Sequence, residues 1–141
     1  MSLMPWDLNK FDVHVHAMNN DHEHIVELIN RIHDADAAGT PANAVLRVLD
    51  ELGAFTTEHF AGEEQLMEYV GYADLPRHRV MHQQLLREFT KHRNAFAAEG
   101  GRLPKAFFDF LKLWLTAHIR NIDMRYGEFV EAQHPELLDV A

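Results

Sequence analysis

Apolar residues recur along the chain at three- and four-residue steps, and no segment sustains a two-residue alternation. That period predicts helices and no strands. The first helix is expected over about 20–38, striped by His22, Ile25, Val26, Ile29, Ile32 and His33. A second runs over about 41–70, where Val45, Val48, Leu49, Leu52, Phe55, His59, Glu63, Leu66, Met67 and Val70 share one face. A third covers about 75–99, with His78, His82, Leu85, Phe89, His92 and Phe96 on its stripe. The fourth runs over about 104–133, with Phe107, Phe108, Leu111, Trp114, His118, Ile122, Tyr126 and Phe129 facing inward.

Breakers fall between these stripes. Gly39-Thr40-Pro41 reads as a stop followed by an N-cap and a first helical proline, and Gly71, Gly100-Gly101 and His134-Pro135 end the later helices. Short links favour antiparallel neighbours, so the expected fold is all-α: an up-down-up-down four-helix bundle. Residues 1 to about 18 show no clear helical period and are expected to be an arm packed on the bundle. The chain of 141 residues fits one domain with a real core.

Composition narrows the function. The net charge of −9 argues against nucleic acid, because nothing here neutralises a run of phosphates. No apolar run is long enough to span a membrane, and the N-terminus lacks the basic start and apolar middle of a secretory signal, so a cytoplasmic location is expected. With no cysteine, disulfides, thiol catalysis, iron–sulfur clusters and cysteine zinc sites are excluded. Eleven histidines remain, and imidazole is a ligand for iron, zinc, copper or nickel.

Spacing decides what these histidines are for. Polar residues interrupt the apolar stripes at His22, at His59 and Glu63 and at His78 and His82, each pair four apart, and at His118 and Asp123, five apart. Side chains four apart stand one turn apart on the same helix face. Each pair therefore aims two donors at one depth of the bundle. Unpartnered, such groups would cost on the order of 1–3 kcal/mol each and more for the carboxylates, against a stability of about 5–15 kcal/mol. A metal removes that cost. Seven donors exceed the four that a single structural zinc accepts, and two carboxylates among five imidazoles suit the bridging of two ions. With an added oxygen bridge, two octahedral ions would keep one open position, where a small diatomic molecule fits.

The strings H59-F-A-G-E63, H78-R-V-M-H82 and H118-I-R-N-I-D123, after His22, resemble the ligand signature of the hemerythrin family, specifically its bacteriohemerythrins. LINRIHDA at 28–35, HFAGEEQLM at 59–67 and LWLTAHIRNID at 113–123 add to the likeness, which extends from about Trp6 to Tyr126. The resemblance implies two non-haem iron ions, one held by His78, His82 and His118 and the other by His22 and His59, with Glu63 and Asp123 bridging. Glu64 is acidic too but misses the four-residue spacing. Trp114 and Ile119 resemble positions of the family's apolar ligand pocket. The implied activity is reversible binding of molecular oxygen or another small diatomic ligand, for storage, carriage or delivery. Alternatives on the same site are a sensor of oxygen, nitric oxide or redox state, a peroxidase, or a nitric oxide reductase; on the same scaffold, zinc or manganese could replace iron.

A ferritin-like bundle would need paired Glu-x-x-His motifs. Only E131-A-Q-H134 occurs, and it reads as solvated surface. His33 and His92 read as core or boundary residues. His14-Val15-His16 sits where the arm approaches the metal end, as a candidate second surface site or proton path. Asn19-Asn20-Asp21 stands where relatives often carry an acidic residue and a glutamine, which leaves open how His22 is supported from behind.

Overall fold

The computed structural model describes residues 3–139, all helix and connection. A four-residue turn, α1 (Leu8–Phe11), is followed by the long helices α2 (His16–Ala37), α3 (Ala42–Val70) and α4 (Leu75–Glu99). The fourth rod has three parts: α5 (Lys105–Leu113), a wide π-helical segment (Trp114–Asp123), and α6 (Met124–Gln133). Together they form the four-helix bundle that the stripes predict. No helix among the described residues is long and apolar enough to cross a membrane.

Two boundaries and one extra turn differ from the expectation. The first long helix begins at His16 rather than near residue 20, so the arm ends at Val15. Within the arm, Asp7 accepts a hydrogen bond from the Asn9 amide at 3.1 Å and starts α1, which buries Phe11 against Trp6 at 5.7 Å between ring centres. This turn is too short to show a period. At the start of α3 the cap falls on Pro41 itself, whose carbonyl accepts from Ala44 and Val45. At its other end Gly71 takes φ +69°, a left-handed turn that lets the Tyr72 amide reach the Met67 carbonyl at 2.9 Å.

The interior is divided in two. The larger apolar cluster includes Ile25, Ile29, Leu49, Leu52, Phe60, Phe107, Leu111, Leu115 and Ile119. A smaller one holds Val15, Met67, Val70, Leu75, Tyr126 and Val130. On α3 the break falls between Phe60 and Met67, and on the fourth rod between Ile119 and Tyr126. Glu63 and Asp123 occupy those two gaps. A polar layer thus separates the bulk of the core from an apolar cap at one end of the bundle. At the opposite end buried Asp36 accepts from the Leu103 amide at 2.8 Å and pairs with Arg102 at 3.3 Å, which ties the last link to α2.

Candidate metal centre

All seven residues singled out above meet in that polar layer, and all seven are buried. Glu63, His78, His82, His118 and Asp123 each offer an atom within 4.8 Å of one another, and His22, His59 and Glu63 form a second such group. Each carboxylate shares its oxygens between the groups. Glu63 Oε1 lies 3.2 Å from His82 Nε2, while its Oε2 lies 3.5 Å from His22 Nε2 and 3.4 Å from His59 Nε2. Asp123 Oδ1 lies 2.9 Å from His78 Nε2 and 3.1 Å from His118 Nε2, while its Oδ2 lies 3.3 Å from His22 Nε2.

Short distances do not make these atoms hydrogen-bonded. The Nε2 atoms of His59, His78, His82 and His118, with Glu63 Oε1 and Asp123 Oδ1, are buried and have no hydrogen-bond partner. Six orphaned polar atoms in one layer would be expensive in a finished core. Their donors converge on the space between them, and imidazole nitrogen with carboxylate oxygen is a donor set that a divalent cation accepts. The residues therefore fit a metal. Outside this set, His22 Nδ1 and Thr56 Oγ1 are also buried and unpartnered.

The fourth rod needs the π segment to reach the layer. On an α-helix, residues five apart point about 140° away from each other. In the wide turn, where the Met124 amide bonds the Ile119 carbonyl five residues back, His118 and Asp123 share a face. Trp114 and Ile119 are five apart as well, and both are buried there. Trp114 lies edge-on to Phe60 at 5.9 Å, and Phe60 stacks flat on His82 at 3.7 Å. The deep side of the layer is thus aromatic and aliphatic. A surface groove of about 550 Å³ between α4 and the π segment, lined in part by Leu85, Phe110, Trp114 and His118, brings solvent to the outer edge of His118.

Partners behind the imidazoles were not foreseen. His59 Nδ1 lies 2.8 Å from Asp21, and His82 Nδ1 lies 2.8 Å from Glu64. A carboxylate behind a ligating histidine fixes its orientation and raises its basicity. Glu64, set aside on spacing, has this role, and Asp21 serves His59 rather than its neighbour His22. Tyr126 donates its phenol to Glu63 Oε2 at 2.5 Å. Burial, followed by the charges of Glu63 and Asp123, holds that phenol well above its usual pKa, so it stays a donor at neutral pH.

The arm histidines belong to neither donor group among the described residues. His14 lies 3.3 Å from Glu131, and His16 is exposed at the start of α2. His33 and His92 are half-buried, edge-on to Phe108 and tilted against Phe107 respectively.

Without an ion, protons compensate the layer. Burial disfavours a charged His59, but the Glu63 charge and the Asp21 hydrogen bond outweigh it and push its pKa up to about 10. Burial also opposes ionisation of Glu63, yet the charge of His59 and the imidazoles of His22 and His82 beside it hold the carboxyl well below its usual range. The stabilisation from His59 is complete below its ordinary 6.5 and disappears as pH rises through about 10. That from Glu63 is present above its ordinary 4.5 and disappears as pH falls. Chelator-treated protein is therefore expected to lose thermal stability steadily between about pH 7 and 10. Metal-loaded protein, with neutral imidazoles as ligands, should hold a flat melting temperature across that window. Parallel melting curves for the two forms would contradict this.

Residues 13–130 match the hemerythrin HHE cation-binding domain. The chain belongs to the hemerythrin family. A bacteriohemerythrin from Pseudomonas aeruginosa PAO1 is 36% identical over 124 residues, covering 88% of this chain and 80% of that protein. One from Methylococcus capsulatus is 30% identical over 132 residues, covering 94% of this chain and all of that protein. The crystal structure of a wild-type hemerythrin superposes with a TM-score of 0.82 at 29% identity, covering 90% of this chain and 97% of that one. The hemerythrin match spans every position of the polar layer, since His22 and Asp123 both fall inside it.

Proposed function

We propose that this chain binds molecular oxygen reversibly at a pair of non-haem iron ions, as a store or carrier rather than as an enzyme. The observation that carries the reading is the division of each carboxylate, with one oxygen toward each donor group. That is the arrangement two bridged ions require. His78, His82 and His118 would hold one iron, His22 and His59 the other, and Glu63 and Asp123 would bridge them. The iron pair supplies the electrons that oxygen binding draws on.

The protein's own residues do the rest. Three imidazoles on one side and two on the other leave the His22–His59 side with fewer protein ligands, and so with room for a small molecule. Phe60, Trp114 and Ile119 exclude water from the deep side of the layer. The imidazole-rich donor set carries less negative charge than a carboxylate-rich one, which disfavours highly oxidised iron and so favours binding over oxidation chemistry. Tyr126 keeps its proton at Glu63 Oε2 and fixes that bridge from the cap side.

The test is optical. Iron-loaded protein, reduced without air and then given oxygen, should develop a visible absorption band that fades under vacuum and returns with oxygen. Rapid irreversible oxidation, or turnover of peroxide, would replace this reading with an enzymatic one. No band, with a single zinc per chain, would end it.

A further inference from the structure

The two donor groups are unequal in three independent respects. The group spanning α4 and the π segment has three imidazoles, His78, His82 and His118, whereas the α2–α3 group has two, His22 and His59. Glu63 Oε1, which faces the first group, accepts no hydrogen bond. Its Oε2, which faces the second, already accepts the Tyr126 phenol at 2.5 Å. An oxygen engaged by a strong hydrogen bond has less charge to give a cation.

The third difference lies behind the ligands. In the first group His82 Nδ1 is backed by Glu64 at 2.8 Å. In the second, His59 has Asp21, but His22 Nδ1 is buried and has no partner at all. An imidazole that ligates through Nε2 carries its proton on Nδ1, and that proton on His22 finds no acceptor.

We propose that the two metal positions differ in affinity: the His78–His82–His118 position fills first and retains its ion, and the His22–His59 position is exchangeable. This rests on the two-metal reading given above. Loss of a single outer partner lowers metal affinity about 10–100-fold, so a gap of at least about tenfold is expected. A partly loaded chain would then carry one ion in the tight position, and a second kind of divalent ion could enter the other.

Anaerobic titration of chelator-stripped protein with Co²⁺, followed by its visible bands, tests this directly. The expected result is two steps at least about tenfold apart in affinity. At one equivalent, anomalous diffraction should place the cobalt among His78, His82 and His118. A single step for two ions, or cobalt at His22 and His59 first, overturns the inference and leaves the two-metal reading standing. No bound cobalt overturns both. Tyr126→Phe adds a second measurement: it should tighten the weaker position several-fold and leave the stronger one unchanged. Weakening of both positions, or an unchanged gap, counts against the role given to the phenol and against the asymmetry built on it.

Discussion

Glu63→Gln is expected to give a helical protein that holds less than one ion per chain, where the two-metal reading proposed above gives the parent two. Glu63 offers a carboxylate oxygen to each donor group, and it is fully buried. The amide keeps its volume but replaces one carboxylate oxygen with an N–H donor that faces imidazole nitrogens. One position then loses its oxygen ligand, and both lose the charge that offsets a pair of cations. Removing even an outer partner costs about 10–100-fold in metal affinity, and a shared ligand should cost more. His118→Ala should weaken the α4 and π-segment position by a comparable factor, because it deletes one of three imidazoles. His134→Ala should hold both ions, since His134 pairs with Glu136 at 3.4 Å and belongs to neither group. Metal per chain after gel filtration, with circular dichroism to confirm folding, measures all three. A Glu63→Gln protein with two tightly held ions would remove Glu63 from the site.

The ligand layer was legible because burial makes polar residues on an apolar stripe conspicuous. His59 and Glu63 sit one turn apart among leucines and phenylalanines, and nothing but a partner in the core explains them. The four rods were legible for the same reason. Features that depend on which helices lie side by side were not. Glu64 reaches His82 on α4, and Asp21 reaches His59 on α3, so neither role follows from position on its own helix. The five-residue spacing of His118 and Asp123 was visible and was grouped with the four-residue pairs, but the four-residue rule does not cover it, and only the π turn gives the two a shared face. Helical period alone does not foretell that turn, because it depends on how the rod closes against the layer.

The arm was the least legible element, and its anchoring gives the largest expected effect on stability. Gly127→Ala should lower stability by about 2–4 kcal/mol, roughly a 10 °C fall in melting temperature. A methyl group built at Gly127 would stand 1.9 Å from the Val13 carbonyl oxygen and 2.8 Å from its carbon. Both are backbone atoms, so no side-chain rotation relieves the clash. Val13 cannot shift alone either: its amide donates to Asn19 Oδ1 at 2.9 Å, Asn19 donates to Asp12 at 2.8 Å, and the His16 amide donates to the Leu138 carbonyl at 2.8 Å. The segment must detach as a unit and expose Val13 and Val15, both now buried. Gly62→Ala is the matched control. There a methyl group would meet only Met18 Cε at 4.0 Å, an ordinary contact, so better helix propensity should stabilise α3 by up to about 1 kcal/mol. Two glycine-to-alanine changes on helices of one bundle should thus shift the melting temperature in opposite directions, while metal per chain stays at the parent value in both. Equal shifts would show that the arm does not rest on α6 at this point.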